Sequence, residues 1–600
     1  MTSGRDEILG ARPLSDTATR FCVWAPASER AALLRSDQGD SAELVNLGDG
    51  YFAATVADCP VGTQYRYVLD GEALADPASR SQPEGVHGPS EVIDLAAHDW
   101  VDESFCQRPL WDHVIYELHV GTFTAEGTFD AALQELDDLV ELGVSAIELM
   151  PVAQFPGERN WGYDGVFPFA VQHSYGGAHG LQRFVDGCHQ KGLAVILDVV
   201  YNHLGPEGNV LGAYGPYFSD RYRTPWGDAL NFDGAGSDDV RHYFWLNARQ
   251  WFADFHVDAL RLDAVHAIID QTATTFMEEL SRQSQDLSAA LGRRCELIAE
   301  SATNDPRTVT ERAGGGVGMD AQWNDDFHHA LHVALTGEQS GYYADYEGAS
   351  DVARAMDEGF VLQGAYSAFR RCHHGAPSTR VAPERFVVFA QNHDHIGNRA
   401  KGDRLVTLVS PAQARLAAAA VVLAPNVPLL FMGEEYGETA PFPYFVDHSD
   451  PELITATRAG RDRDFADVAE QGELFDPADP ATFDAARLDR SQRHLGEQGA
   501  RWSLYRDLIA LRRTTPALRR SARASARAWC ERDVVTLLRT HDAGDVVIFF
   551  NFGESDATAY LPPRVRGHNL LDRAASVIEP GANVKLAPWV FDVYQLEASP

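Results

Sequence analysis

The sequence predicts an α/β protein: a (β/α)8 TIM barrel flanked by an N-terminal, immunoglobulin-like β-sandwich and a C-terminal β-sandwich. Three observations carry this reading. Apolar β-type runs alternate with long helix-like stretches through the middle of the chain. Both ends lack that alternation and read as short strands. The 600 residues also exceed one ordinary domain, at roughly 100–200 residues each. The predicted units are 1–108 for the first sandwich, 109–522 for the barrel with its insertions, and 523–600 for the last sandwich.

In the first unit, Arg20-Phe21-Cys22-Val23-Trp24-Ala25 is a strand closed by Pro26. Tyr65-Arg66-Tyr67-Val68-Leu69 alternates with the period of two of a half-buried strand, and Asp70-Gly71 follows as a turn. Pro77 to Pro89 is a loop rich in Pro, Gly and Ser.

The barrel unit holds eight candidate strands. They are Val114-Ile115-Tyr116, Ala146–Met150, Leu193–Leu197, Ala259–Leu262, Glu296–Ala299, a weaker run near Met319-Asp320-Ala321, Phe386–Phe389 and Val427–Phe431. Continuously apolar strands separated by helices imply a parallel sheet covered on its outer face. Ser503–Arg513, apolar at Leu504, Leu508 and Leu511, is the predicted closing helix. The last unit is β again, at Val534–Leu538, Val546–Phe550 and Val590–Tyr594.

Composition excludes several functions. Lys and Arg number 50 against 87 Asp and Glu, a net charge of −37, which repels nucleic acid and anionic membranes. None of the three lysines (Lys191, Lys401, Lys585) precedes Ser or Thr, so the chain has no phosphate-cradling Walker loop. Seven scattered cysteines with no C-x-x-C pair give neither a disulfide framework nor a thiolate metal site. Residues 1–7 show no signal pattern, and Leu416 to Phe431 is too short and too proline-broken to span a bilayer. A reducing cytoplasm is the expected compartment.

Barrels place chemistry at the C-terminal ends of their strands. Here Leu193–Leu197 runs into Asp198, and Ala259–Leu262 contains Arg261 and runs into Asp263. Leu297–Ala299 runs into Glu300, and Phe386–Phe389 leads to Asn392-His393-Asp394. Each acid alone reads as a loop or cap residue. Together Asp263, Glu300 and Asp394 can converge on one mouth of the barrel with Arg261, His203 and His393. Glycosidic cleavage needs such a cluster, with one carboxyl protonated to assist the leaving oxygen and one ionised to attack. His328-His329 and His373-His374 lack any zinc spacing and read as structural.

Asp198-Val199-Val200-Tyr201-Asn202-His203, Leu260–Ala264, Ile298-Ala299-Glu300 and Asn392-His393-Asp394 resemble, in order, the four short motifs of the α-amylase superfamily of glycoside hydrolases. The resemblance implies Asp263 as nucleophile, Glu300 as general acid/base and Asp394 as the carboxylate that stabilises the transition state. It implies that Arg261 holds the nucleophile and that Asp198, His203 and His393 bind the sugar at the scissile position. Tyr163, within Trp161-Gly162-Tyr163-Asp164, resembles the tyrosine that stacks on that sugar.

Val265-His266 stands where α-amylases proper carry Lys-His, and His266 is grouped with the sugar-binding residues. Phe431–Glu435 is similar to a run in glycogen-branching enzymes, which also share the N-terminal, carbohydrate-binding-like sandwich. Asp76–Ser90, Glu117–Phe123, Gln322–His329 and Glu434–Phe442 are instead similar to maltooligosyltrehalose trehalohydrolases. That narrower resemblance implies cleavage of the α-1,4 bond next to the terminal trehalose of maltooligosyltrehalose. The products would be trehalose and a shortened maltooligosaccharide. No organic cofactor is needed; the superfamily admits a metal, but the sequence shows no compelling ligand cluster for one. Trp226, Phe232 and Asp233, and the segment after the eighth strand, are candidates to read the trehalose end. Ala302 departs from the family, which has an acid there. A branching transferase and a non-catalytic carbohydrate-binding protein are the alternatives.

Overall fold

The computed structural model describes residues 8–36, 39, 41–465, 474–519, 525–560, 565–571, 577–579 and 581–598; residues 1–7, read above for a signal pattern, lie outside them. Eight parallel strands close into a barrel in sequence order. They are β1 (Ile115–Leu118), β2 (Ala146–Leu149), β3 (Ala194–Val199), β4 (Ala259–Leu262), β5 (Glu296–Ala299), β6 (Ala321–Trp323), β7 (Phe386–Val388) and β8 (Val427–Phe431). The apolar runs predicted these strands to within three residues at each end. The weak sixth run is shifted, so that Met319 and Asp320 precede its strand. The third strand extends past its predicted end, which places Asp198 inside the ladder, opposite Arg261.

Before the barrel stand two antiparallel sheets, one of four strands and one of five. They enclose Phe21, Val23, Leu33, Tyr51, Tyr65 and Tyr67, all buried. Tyrosines join this sandwich to the barrel: Tyr51 donates to Asp239 at 2.9 Å, Tyr243 to the Pro77 carbonyl at 2.6 Å and Tyr214 to the Ala75 carbonyl at 2.7 Å. Behind the barrel a six-stranded sheet faces a two-stranded ribbon, Ala557–Tyr560 with Asn583–Leu586. Val547, Phe549, Val584 and Leu586 fill the space between them.

Local signals set the helices. Phe276–Leu291 starts at a capping box, in which Thr275 and Glu278 exchange side-chain and backbone bonds, and stops at Gly292 in the left-handed region. The closing helix runs Gly496–Thr514, seven residues earlier than its apolar pattern, because its first turns carry no apolar stripe. Among the described residues no helix is long and apolar enough to cross a membrane.

Two buried arginines tie the closing helix and the last sheet to one loop. Arg512 donates to the carbonyls of Val422, Ala424 and Asn426 at 2.6–2.8 Å, and Arg539 donates to those of Ala424 and Leu518 at 3.3 Å. Arg512→Met keeps the packing stem but strips the Val422 and Asn426 carbonyls of this donor and leaves Ala424 with Arg539 alone. It is expected to destabilise the fold by about 2–4 kcal/mol. The check is a thermal melt, with a shift absent or upward counting against the role of this arginine.

Candidate active site

Strand register fixes which side chains share a level inside the barrel. Glu148 pairs with Ile196, and Ile196 with Ala259. Strands in a tilted barrel stagger by about one residue per strand, so the inward residue level with Glu148 two strands on is Arg261. The same step leads to Trp323, then Leu429, and back through Ile115 and Ala146 to Glu148. One ring therefore holds Glu148, Arg261, Trp323 and Leu429. The odd strands give the ring above it: Glu117, Asp198, Glu300 and Phe389. Beneath both, the barrel is filled by Ala146, Ile196, Ala259, Ile298, Val387 and Val427. The polar chemistry thus begins where the apolar plug ends, at the C-terminal mouth.

Arg261 is fully buried and rises from its ring to the carboxylates above. Its Nη1 donates to both oxygens of Asp198 at 2.8 and 2.9 Å and to Asp263 Oδ1 at 3.0 Å. Its Nη2 lies 2.9 Å from Glu300 Oε2. The Trp323 ring lies 4.2 Å from the guanidinium carbon, a cation–π contact. Asn202 donates to Asp263 Oδ2 at 2.6 Å and to its carbonyl at 2.8 Å. The Ala264 N–H donates to Glu300 Oε2 at 2.8 Å, from a left-handed backbone of φ 39° that alanine adopts at a cost. Strain directly after Asp263 turns the chain so that this N–H faces the neighbouring acid.

The two acids are driven apart in proton affinity. Burial disfavours the charge on Asp263, but Arg261, His203, the Asn202 bond and a hydrogen bond from Glu300 outweigh it and hold the Asp263 carboxyl below its usual range. Burial pushes Glu300 well above its usual range; Arg261 opposes this, and the negative charges of Asp263, Asp394 and Asp325 add to it. Burial also raises Asp394, with His393 and Arg261 opposing, and pushes Asp198 up to about 6. Such opposed shifts in neighbouring carboxyls separate an acid from a nucleophile.

Tyr163, His393 and Glu117 form the facing wall. The Tyr163 hydroxyl donates to Asp198 at 2.6 Å and meets His393 Nε2 at 2.8 Å. His393 Nδ1 is hydrogen-bonded to Glu117. Burial disfavours the His393 imidazolium, but Glu117 more than compensates and raises its pKa. The structure therefore gathers Asp198, Arg261, Asp263, Glu300, Tyr163, His393 and Asp394 into one site. His203 stands beside them, with Nδ1 on Asn202 and Nε2 on the Tyr163 carbonyl at 3.0 Å. His266 lies at the rim, its Nδ1 3.4 Å from the Ala302 N–H.

Two of the three named candidates for the trehalose end are corrected. Phe232 is buried and stacked on Phe276, so it is core. Asp233 is occupied by Arg221, Tyr222 and the Gln271 N–H. Trp226, half exposed and stacked 5.2 Å from the His203 ring, remains at the mouth. Glu117, Glu148 and Asp325 were not singled out from sequence. Asp325 is pushed up to about 7, by burial first and then by Asp394. A charged residue inside an apolar strand, as in Ile-Tyr-Glu-Leu and Ile-Glu-Leu, is the signal that could have found the first two. Among the described residues no His, Cys, Asp and Glu side chains group to hold a metal ion.

Residues 83–214 match the alpha amylase catalytic domain, and residues 8–84 match carbohydrate-binding module 48, the isoamylase N-terminal domain. The chain is 44% identical to the malto-oligosyltrehalose trehalohydrolase of Rhizobium sp. over 96% of its own length and 98% of that protein. It is 47% identical to the protein of that name from Saccharolobus solfataricus over 79% and 82%. A solved structure titled as a putative alpha amylase from Salmonella typhimurium is similar at a TM-score of 0.89 and 36% identity, covering 98% of this chain and 99% of that one.

The raised proton affinity of Glu300 has a consequence for stability. Its folded pKa lies above the unfolded value of about 4.3, so its stabilising contribution is present below that value and is lost as pH rises through the folded pKa. Glu300→Gln removes that loss. The variant is expected to melt above the parent chain, with a margin that widens from pH 5 to pH 8. Melting curves across that range check it, and a margin that shrinks with pH would contradict the assignment.

Proposed function

The chain belongs to the malto-oligosyltrehalose trehalohydrolases of the α-amylase superfamily and is a glycoside hydrolase acting on maltooligosyltrehalose; we propose that it acts by a retaining double displacement at Asp263 and Glu300. The observation that carries this is one guanidinium touching both acids, 3.0 Å from Asp263 and 2.9 Å from Glu300. Glu300 also hydrogen-bonds to Asp263, so the two carboxyls are near neighbours. The close pair supports a retaining mechanism, in which a carboxylate attacks where an inverting enzyme uses a water.

In this reading Asp263 attacks the anomeric carbon of the glucose on the near side of the α-1,4 bond. Glu300 gives its proton to the departing oxygen, and trehalose leaves. Glu300 then takes a proton from water, which breaks the glycosyl–Asp263 ester and frees the shortened maltooligosaccharide. Asp394 stabilises the positive charge that grows on the ring. Asp198 and His393 accept and donate to hydroxyls of the same sugar, with Tyr163 as its stacking face. His203, His266 and Trp226 complete the lining. Hydroxyls of the 1,1-linked pair, unmatched in maltose, would supply discrimination. The three units 1–108, 109–522 and 523–600 are taken as the domains, and the carbohydrate-binding-module match supports a sugar ligand at the first. Free thiols at Cys106, Cys188, Cys295, Cys372 and Cys530 support a reducing, cytoplasmic setting.

Incubation with maltotriosyltrehalose is expected to release trehalose, and maltopentaose to react far less. Chromatography reads both, and new α-1,6 linkages in place of trehalose would indicate a branching transferase. Asp263→Asn should stay folded and lose at least about 10³-fold in kcat; ordinary turnover in it would overturn the assignment. Glu300 should set the basic limb of a bell-shaped pH–rate profile, and Glu300→Gln should abolish that limb with the activity.

A further inference from the structure

A second polar hollow opens beside the catalytic mouth. It is a cleft of about 420 Å³ lined, among others, by His87, Glu158, Glu207, Asp447, His448 and Ser449. Four separate stretches of chain build it: the segment after the N-terminal sandwich, and the loops that follow β2, β3 and β8. Two of those loops also furnish the active site. The β2 loop carries Glu158 and, five residues on, Tyr163. The β3 loop carries His203 and, four residues on, Glu207. Four residues reach at most about 14 Å, so the cleft lies within a few sugar units of the scissile position.

The floor is densely hydrogen-bonded. Glu207 is buried and accepts from the Ser449 N–H at 3.0 and 3.2 Å and from the Ser449 hydroxyl. It also pairs with His448 Nδ1 and His87 Nε2, each at 3.0 Å. Asp447 takes the Arg159 guanidinium and the Glu158 N–H at 2.9 Å. Asp164, the chain neighbour of Tyr163, comes close to this floor. It accepts from Asn160 at 2.7 Å and Tyr444 at 3.2 Å, with His448 Nε2 4.0 Å away. His87 and Glu158 are exposed on the rim.

The chemistry selects a neutral polyhydroxyl ligand. Carboxylates dominate the lining, and the adjacent Arg159 is spent on Asp447, so an anion would be repelled. Sugar hydroxyls donate well to carboxylate and imidazole acceptors. The carbohydrate-binding-module match ends at Glu84, on the edge of this cleft, and the catalytic-domain match begins at residue 83. We propose that this cleft is a distal glucan subsite, holding a glucose unit of the maltooligosyl chain well beyond the one gripped by the catalytic acids, and that His87 carries the N-terminal segment into substrate binding. The proposal rests on the hydrolase reading above and deepens it: the enzyme would measure the length of the chain it shortens.

The test compares maltosyltrehalose, too short to reach the cleft, with maltopentaosyltrehalose. In His87→Ala and in Glu158→Ala, kcat/KM for the long substrate is expected to fall about fivefold to tenfold through KM, the loss of one or two hydrogen bonds. The short substrate should be unchanged. Equal losses on both, or none on either, overturn the subsite. Calorimetry in an Asp263→Asn background reads the same contrast without turnover. There the long substrate should bind more tightly than the short one, and His87→Ala should erase the difference; a difference that survives overturns the proposal. A parent enzyme that releases no trehalose from either substrate would sink the hydrolase reading, while the calorimetric contrast would still decide the cleft.

Discussion

The Arg261 guanidinium is the constraint on which the rest of the site depends. It is a full charge at the axis of a barrel whose lower half is alanine, isoleucine and valine, and a charge so placed persists only when it is paired and bonded. The pairing comes from three successive strands, with Asp198 on β3, Asp263 after β4 and Glu300 after β5. Nη2 makes no hydrogen bond among the described residues and meets Glu300 as an ion pair alone. Removing the arginine would leave several buried acids without their cation, a loss of about 3–5 kcal/mol where a buried pair is broken. Fold and chemistry are joined at this side chain.

The two polar rings explain why so many acids can share so small a space. Glu148 lies in the ring of Arg261, wholly buried, with neither oxygen hydrogen-bonded among the described residues. Burial and then the charge of Glu117 hold its pKa far above the carboxylate range. Its carboxyl resists ionisation, which leaves Arg261 to the acids above. Glu117, in the upper ring, spends its charge on His393.

Much of this was legible because barrel strands are buried on both faces and so read as continuous apolar runs. Glu300 and Asp263 stand where such runs stop, and it is their coincidence at successive strand ends, together with the motifs they resemble, that points to both. Asp198 shows where the same logic stops: an acid after an apolar run reads as the end of its strand, whereas Arg261 opposite it lets the ladder continue to Val199. Glu117 and Glu148 escaped notice because a carboxyl between isoleucine and leucine has no local meaning until closure brings other strands across from it. Phe232 and Asp233 were misplaced for the converse reason. An insertion between strands carries no periodicity, so nothing in the sequence separates a core phenylalanine from a rim tryptophan such as Trp226.

On the double displacement proposed above, the coupling of Asp263 and Glu300 also accounts for the change of role that such a mechanism demands. In the resting site the charge on Asp263 is one of the causes that keep the proton on Glu300, where a leaving oxygen needs it. Once Asp263 is esterified to sugar, that charge is gone. Proton transfer to the leaving group has meanwhile left Glu300 ionised, with Arg261 still 2.9 Å away to favour the anion. The affinity of Glu300 for a proton thus falls from that of a poised acid toward that of a base able to draw one from water. When the ester breaks, the Asp263 charge returns and Glu300 again holds its proton. A single buried contact between two carboxyls, referred to one arginine, is enough to cycle the site.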